Sequence, residues 1–310
     1  MSLNRIAIYG HRGWVGSSVL RALAATGASI KVLHRVGSDI ASLPAGVITA
    51  KVDLGNPHSL ITTLQDIDVL LSFAGRDVVP KQHAFIKAIP NTSVKLFVPS
   101  DLAFRVDEQG LRIPANRDKH EIEAAAKAAG VPTTVVLAGA FVESALSFPI
   151  LGVDVPGNRI IHTGDSAHQQ LSFCTRNYVA AAYTSIFAKT PPVELQGRAI
   201  GISEFKATGA EIASVLNEKY GVEPRKFIHS LEKAKAEIDR CIQNGSPTAL
   251  SWHCRKAWGL GDIVKGIGED IWEVGGYKKA TLVDLLIEGK LEPYKDVPPQ
   301  VKQLFDSAFH

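Results

Sequence analysis

The chain of 310 residues has no apolar run near the roughly 18 residues that a membrane-crossing helix needs, so a membrane-spanning role is not expected. Cysteine is scarce. Cys174, Cys241 and Cys254 lie far apart, and none belongs to a C-x-x-C pair. Such a set reads as reduced, buried thiols, not as a disulfide frame or a redox pair. With no signal-peptide pattern over residues 1–5, it points to the cytoplasm. Ten histidines occur without H-x-x-x-H or H-E-x-x-H spacing, which removes the usual signature of a metal centre. The G-x-S-x-G elbow of a serine hydrolase is also missing. The net charge is only +3 and its cations form no stripe, so nucleic acid is not an expected partner. The 45% hydrophobic and 21% charged content is that of an ordinary globular chain, which leaves small molecules as the expected ligands.

Strand and helix patterns alternate from the first residues onward. Residues 5–9 and 29–33 read as strands flanking a helix at 17–25, whose Val19, Leu20 and Leu23 share one face. Further strands are expected at 47–52, 69–73, 96–98 and 133–137. Helices are expected from Asn56-Pro57, at 81–88, and at 119–129, the last closed by Gly130. This rhythm predicts an α/β fold with a doubly wound parallel sheet, covered on both faces, over 1–150. After Phe148-Pro149 the rhythm changes. Helices at 176–189, 208–220 and 231–243 and a strand at 198–202 predict a smaller α/β substrate-side region over 151–310, with room for strands shared with the first.

The first strand runs into Gly10-His11-Arg12-Gly13-Trp14-Val15-Gly16. Glycines at this spacing permit a tight turn, close backbone approach to a pyrophosphate and close helix–sheet packing. The helix behind them aims free N–H groups at the phosphates. A glycine triplet means little alone, but between a strand and a helix it predicts a dinucleotide site. Binders of the unphosphorylated dinucleotide carry an acid at the end of the second strand. Here that position holds His34-Arg35, with Arg12 in the turn. Two guanidinium groups suit a 2′-phosphate, so NADP(H) is the expected cofactor. Asp53, at the end of the third strand, is a candidate for the adenine edge. Ser72-Phe73-Ala74-Gly75, at the end of the fourth, faces the cofactor, where the small residues leave room for its ribose.

The Gly10–Gly16 turn, Arg35, Gln82 ahead of a helix, and Lys95-Leu96-Phe97-Val98-Pro99-Ser100-Asp101 together resemble the isoflavone reductase/NmrA-like group of atypical short-chain dehydrogenases, especially its fungal members. The last segment matches that family's V-K-R-F-x-P-S-E-F-G. Lys119, thirteen residues before Pro132, matches its active-site lysine. The resemblance covers most of the chain and is strongest over 1–145. It implies a Rossmann domain, cofactor contacts at Gln82, Pro99 and Ser100, and a catalytic Lys119 that also holds the cofactor. The residue four before Lys119 is Ala115, so the Y-x-x-x-K pair of ordinary short-chain dehydrogenases is absent. Asp101-Leu102-Ala103 also departs from E-F-G at its glycine.

An NADPH-dependent reductase acting on an apolar, aromatic or conjugated small molecule is therefore expected, with Asp101, Phe104, Phe141, Phe148 and Trp258 as candidate walls of the substrate pocket. The resemblance also admits a second class, dinucleotide-binding redox sensors that transfer no hydride. The presence of Lys119 favours the enzyme. The oligomeric state, monomer or homodimer, is left open.

Overall fold

A computed structural model describes residues 3–309. Five strands form a parallel sheet: β1 (Ile6–Tyr9), β2 (Ile30–His34), β3 (Ile48–Lys51), β4 (Val69–Ser72) and β5 (Leu96–Val98). They lie in the order β3-β2-β1-β4-β5, which is the expected doubly wound arrangement. Every residue of β1 and β4 is buried, as strands covered on both faces must be. Helix α1 (Gly16–Ala24) follows β1, α2 (Pro57–Thr63) follows β3, and α3 (His83–Ala88) lies between β4 and β5. The expected helix at 81–88 is split. A 3₁₀ stretch, Arg76–Gln82, precedes α3, with Pro80 inside it. Proline withholds the N–H that an α-helical turn would use there.

After the short α4 (Glu108–Leu111) comes α5 (Pro114–Ala128). It begins five residues earlier than the pattern suggested, because Pro114 takes the first helical position, where its fixed φ suits the turn. Lys119 therefore lies in the second turn and not at the helix start. Strand β6 (Val135–Leu137) carries the sheet onward. The Phe97 N–H donates to the Pro132 carbonyl at 2.8 Å, and the Thr134 N–H donates back to the Phe97 carbonyl at 3.1 Å. Next come β7 (Ala140–Phe141), α6 (Val142–Leu146), β8 (Val153–Asp154), β9 (Arg159–Thr163), β10 (Leu171–Cys174) and α7 (Arg176–Phe187).

Past residue 150 the chain returns to the sheet. Strand β11 (Ala199–Gly201) pairs in parallel with β6, and α7 packs on α1. Tyr178, Val179, Tyr183 and Ile186 of α7 join one buried cluster with Ile6, Ile8, Val19 and Leu23. A cut at 150 would thus part β11 from its partner and open that core. Next come β12 (Phe205–Ala207), α8 (Gly209–Tyr220), β13 (Arg225–His229), α9 (Leu231–Gln243) and α10 (Ala249–Gly259), followed by the shorter helices α11 (Asp262–Gly266), α12 (Leu282–Leu286) and α13 (Pro299–Asp306). Strands β8-β9-β13 form one small sheet and β7-β10-β12 another.

The start of α7 is held by two buried carboxylates. The Arg176 N–H donates to Glu143 Oε1 at 2.7 Å, and the Thr175 N–H donates to Glu204 Oε2 at 2.7 Å. Both bonds use donors that a helix start leaves free. Glu143 is 2% exposed and its Oε2 has no partner among the described residues. Burial pushes its carboxyl up to about 7, against the opposing pull of the Arg176 N–H. The unfolded chain would release that proton near the ordinary carboxylate pKa of about 4.5. The folded state therefore binds more protons between those values, and stability falls as pH rises through that window. Glu143→Gln removes the dependence. Relative to wild type, the variant should gain roughly 3 kcal/mol between pH 4.5 and 8. Urea melts across that range check this; parallel pH profiles would contradict it.

Candidate functional site

At the carboxyl ends of β1 and β4 the backbones come unusually close. Gly10 has φ +88°, and a Cβ there would lie 2.3 Å from the Phe73 carbonyl oxygen. A Cβ on Gly16 would lie 2.4 Å from the Gly10 carbonyl oxygen. Only glycine fits either position. Gly13 closes the turn, its N–H donating to the Gly10 carbonyl at 3.0 Å. Helix α1 then begins with no side chain capping it at Val15. The Ser17 and Ser18 N–H groups donate to the Gly13 and Val15 carbonyls, while those of Trp14, Val15 and Gly16 have no partner among the described residues and remain for an external acceptor.

A cleft of about 280 Å³ opens on this turn, lined by Gly10, Arg12, Gly13, His34, Arg35, Phe73, Ala74 and Gly75 among others. Arg12 and Arg35 are exposed, and neither takes part in a salt bridge among the described residues. The local field is positive. Burial lowers the pKa of His11, and the charges of Arg12 and His34 reinforce that shift. Burial raises the Tyr9 hydroxyl, with the Arg35 guanidinium pulling the other way. His34 Nδ1 lies 3.2 Å from the Arg35 carbonyl oxygen.

Arg35 also borders a wider groove of about 750 Å³ with Val52, Asp53, Leu54, Lys81 and Lys87. Asp53 is exposed there, and its Oδ1 accepts the Gly55 N–H at 2.8 Å in a local turn. Lys81 and Lys87 escaped the sequence reading. The one available signal was their place next to Gln82 and on α3.

Gln82 and Ser72 are buried, and neither lines the cleft at the phosphate turn. Gln82 instead accepts the Ser100 N–H at 3.0 Å and donates to the Val79 carbonyl at 3.1 Å. The Ser100 hydroxyl donates to the Ala74 carbonyl at 2.9 Å. These bonds tie the loop after β5, Pro99 included, to the end of β4. Gln82 thus holds the wall of the cleft in place from behind.

Lys119 projects from α5 across to that loop. Its Nζ donates to the Asp101 carbonyl at 2.9 Å and lies 3.5 Å from Asp101 Oδ1. The ammonium is about one-quarter exposed and borders a cleft of about 430 Å³. Asp101, Phe104, Asn116, His120 and Glu123 line the same cleft. Arg105 joins Glu123 in a two-pronged ion pair at its edge. Leu102, with φ +59°, turns the chain here, in the segment where the family motif has Phe-Gly.

The expected aromatic wall does not assemble as one surface. Phe104 lines the Lys119 cleft and stacks on His253, with ring centres 6.1 Å apart. Phe141 lies beside the phosphate turn, edge-on to Trp14 at 5.2 Å, and Trp14 also meets Tyr294 at 5.1 Å. Phe148 is buried against Phe305, and Trp258 is 1% exposed, its indole N–H donating to the Gln169 carbonyl. Trp258 belongs to a buried apolar cluster with Leu171, Phe173 and Ile263, and Phe148 is 6% exposed between Phe305 and Tyr294.

Comparison with known proteins comes down on one family. The model of the NmrA-like family matches residues 2–250. An isoflavone reductase homologue of Zea mays is 30% identical over 62% of this chain and 66% of its own length. Isoflavone reductase of Pisum sativum is 24% identical over 76% of this chain and 81% of its own. The chain thus spans just under two thirds of the maize relative. Among solved structures, an isoflavone reductase superposes with a TM-score of 0.75 at 21% identity, covering 92% of this chain and 99% of that one. The NADPH complex of leucoanthocyanidin reductase from Vitis vinifera gives 0.70 at 18%, covering 98% and 99%. At such identities the structural likeness establishes the fold, and the family model, spanning most of the sequence, establishes kinship: the chain belongs to the NmrA-like family.

Proposed function

We propose that this protein is an NADPH-dependent reductase of an apolar, aromatic or conjugated small molecule. The observation that carries the reading is the pairing of an uncapped helix start with two arginines free of salt bridges on one cleft. The glycine cradle fits a diphosphate, because any side chain at Gly10 or Gly16 would occupy the space of the approaching backbone. Arg12 and Arg35 would take a 2′-phosphate through charge-assisted hydrogen bonds. The groove beyond Arg35, with Asp53 and Leu54 on its wall, would take the adenine.

Bound NADPH would supply a hydride to an electron-poor carbon. Lys119 would hold the nicotinamide ribose hydroxyls and give a proton from Nζ to the substrate atom that gains the electron pair. Solvent would then restore that proton. Asp101 orients the ammonium through its carbonyl and carboxylate oxygens, and Phe104 offers an apolar wall in the same cleft. The relatives support the substrate class. They include proteins described as isoflavone reductase, phenylcoumaran benzylic ether reductase and pinoresinol reductase.

Two variants test the reading separately. Arg35→Asp should weaken NADPH by about 10- to 100-fold while leaving NADH nearly unchanged. Equal weakening in fluorescence titrations would remove the 2′-phosphate clamp. Lys119→Ala should weaken NADPH binding by no more than about tenfold yet lose about 10²- to 10⁴-fold in kcat on a panel of aromatic enones, imines and benzylic ethers, followed by NADPH absorbance. Tight binding without turnover on any substrate would favour a dinucleotide sensor instead.

A further inference from the structure

A pocket of about 340 Å³, open to solvent on one side, lies between α9, α10 and the last turns of the described chain. Arg255 lines it. This side chain is 2% exposed, yet its Nε and Nη1 have no hydrogen-bond partner among the described residues. Its guanidinium carbon lies over Trp252, 3.9 Å from the ring centre. A buried, unpaired charge is costly, and proteins ordinarily neutralise it with a partner.

Among the described residues, no free acid lines the pocket. Lys233 and Arg240 line the same cavity, and the one carboxylate there, Glu237, is taken by Arg240, with Nε and Nη2 at 3.0 and 2.6 Å. Three cations and one acid leave a net +2 on the wall. His229, stacked on Trp252, registers the field. Burial and then the charges of Lys233 and Arg255 push its pKa down to about 4. Ser246, Thr248 and Ser307 add hydroxyls to the lining, beside apolar Leu304 and Phe305.

We infer that this cavity binds a phosphate dianion, either free or as a small phosphomonoester, with Arg255 as the buried anchor and Lys233 as its exposed partner. Charge separates this ligand class from a monocarboxylate, since a dianion matches the surplus of two. The inference does not depend on the cofactor reading. The cavity shares no lining residue with the clefts at Gly10 or Lys119.

The full chain, saturated with NADP+ to occupy the nucleotide site, is titrated by calorimetry at constant ionic strength. The probes are inorganic phosphate, glycerol phosphate, phenyl phosphate and acetate. Phosphate or a monoester should give a saturable one-site heat with a Kd of about 0.1–5 mM, and acetate none. A monoester binding more tightly than phosphate identifies the organic form as the fitted ligand; the reverse identifies the free ion. Arg255→Met, which keeps the stem over Trp252, should weaken binding at least about tenfold. Without ligand its Tm should equal or exceed that of wild type, because the unpaired charge is gone. Lys233→Ala, an exposed change that leaves folding intact, should weaken binding about three- to tenfold. No saturable heat up to about 20 mM phosphate, or one unchanged in both variants, overturns the inference.

Discussion

The contact between the Gly10 turn and the Phe73 carbonyl governs the site. It brings the ends of β1 and β4 within van der Waals range and lets α1 start directly over the gap between them. The parallel sheet makes this gap available, since its strands run outward from the switch point on either side. The stacking of Gly16 on the Gly10 carbonyl then fixes the direction of α1. No side chain caps its start, and the Trp14, Val15 and Gly16 N–H groups are not spent within the described fold. A methyl group at either glycine would press the turn off β4 and widen the cradle before any ligand arrived.

The second constraint is the long reach of α5. Pro114 starts that helix early enough that Lys119 falls a turn and a half along it, facing the loop after β5. That loop is itself fastened from behind by buried Gln82 and from the side by Ser100. The ammonium therefore meets Asp101 on a braced wall. A braced wall matters for proton transfer, because the donor must hold its distance through the reaction. The two arginines of the first cleft have no such brace. Their exposure and freedom from ion pairs suit groups that wait for an anion.

The sequence made this half legible for a physical reason. Its strands follow one another in space nearly as they do in the chain, and β1 and β5 are closed at once by Gly10 and Pro99. The turn at Gly10–Gly16 and Arg35 could be placed from motif spacing, and Lys119 from the family resemblance. Gln82 was visible but misassigned. Resemblance marked it as important, whereas only coordinates reveal that it is enclosed and acts through Ser100. Phe148 and Trp258 failed for the opposite reason, since an aromatic residue gives no sign of which side it faces.

The later half hid its structure in long-range pairing and in polar core. Strands β9 and β13 pair across more than sixty residues, so neither carries a local turn signal toward the other. Helix α10 buries His253, Arg255 and Lys256, residues that pattern reading assigns to solvent. Two of these explain themselves once seen. His253 and Lys256 converge on Asp107, holding its carboxyl down at about 2 despite burial, and they anchor the segment that carries Phe104 and α4. Arg255 points the other way, with its charge unanswered among the described residues. A helix that answers two of its buried cations and leaves the third bare has a different demand on its second face. That asymmetry assigns the cavity there to an external anion rather than to packing.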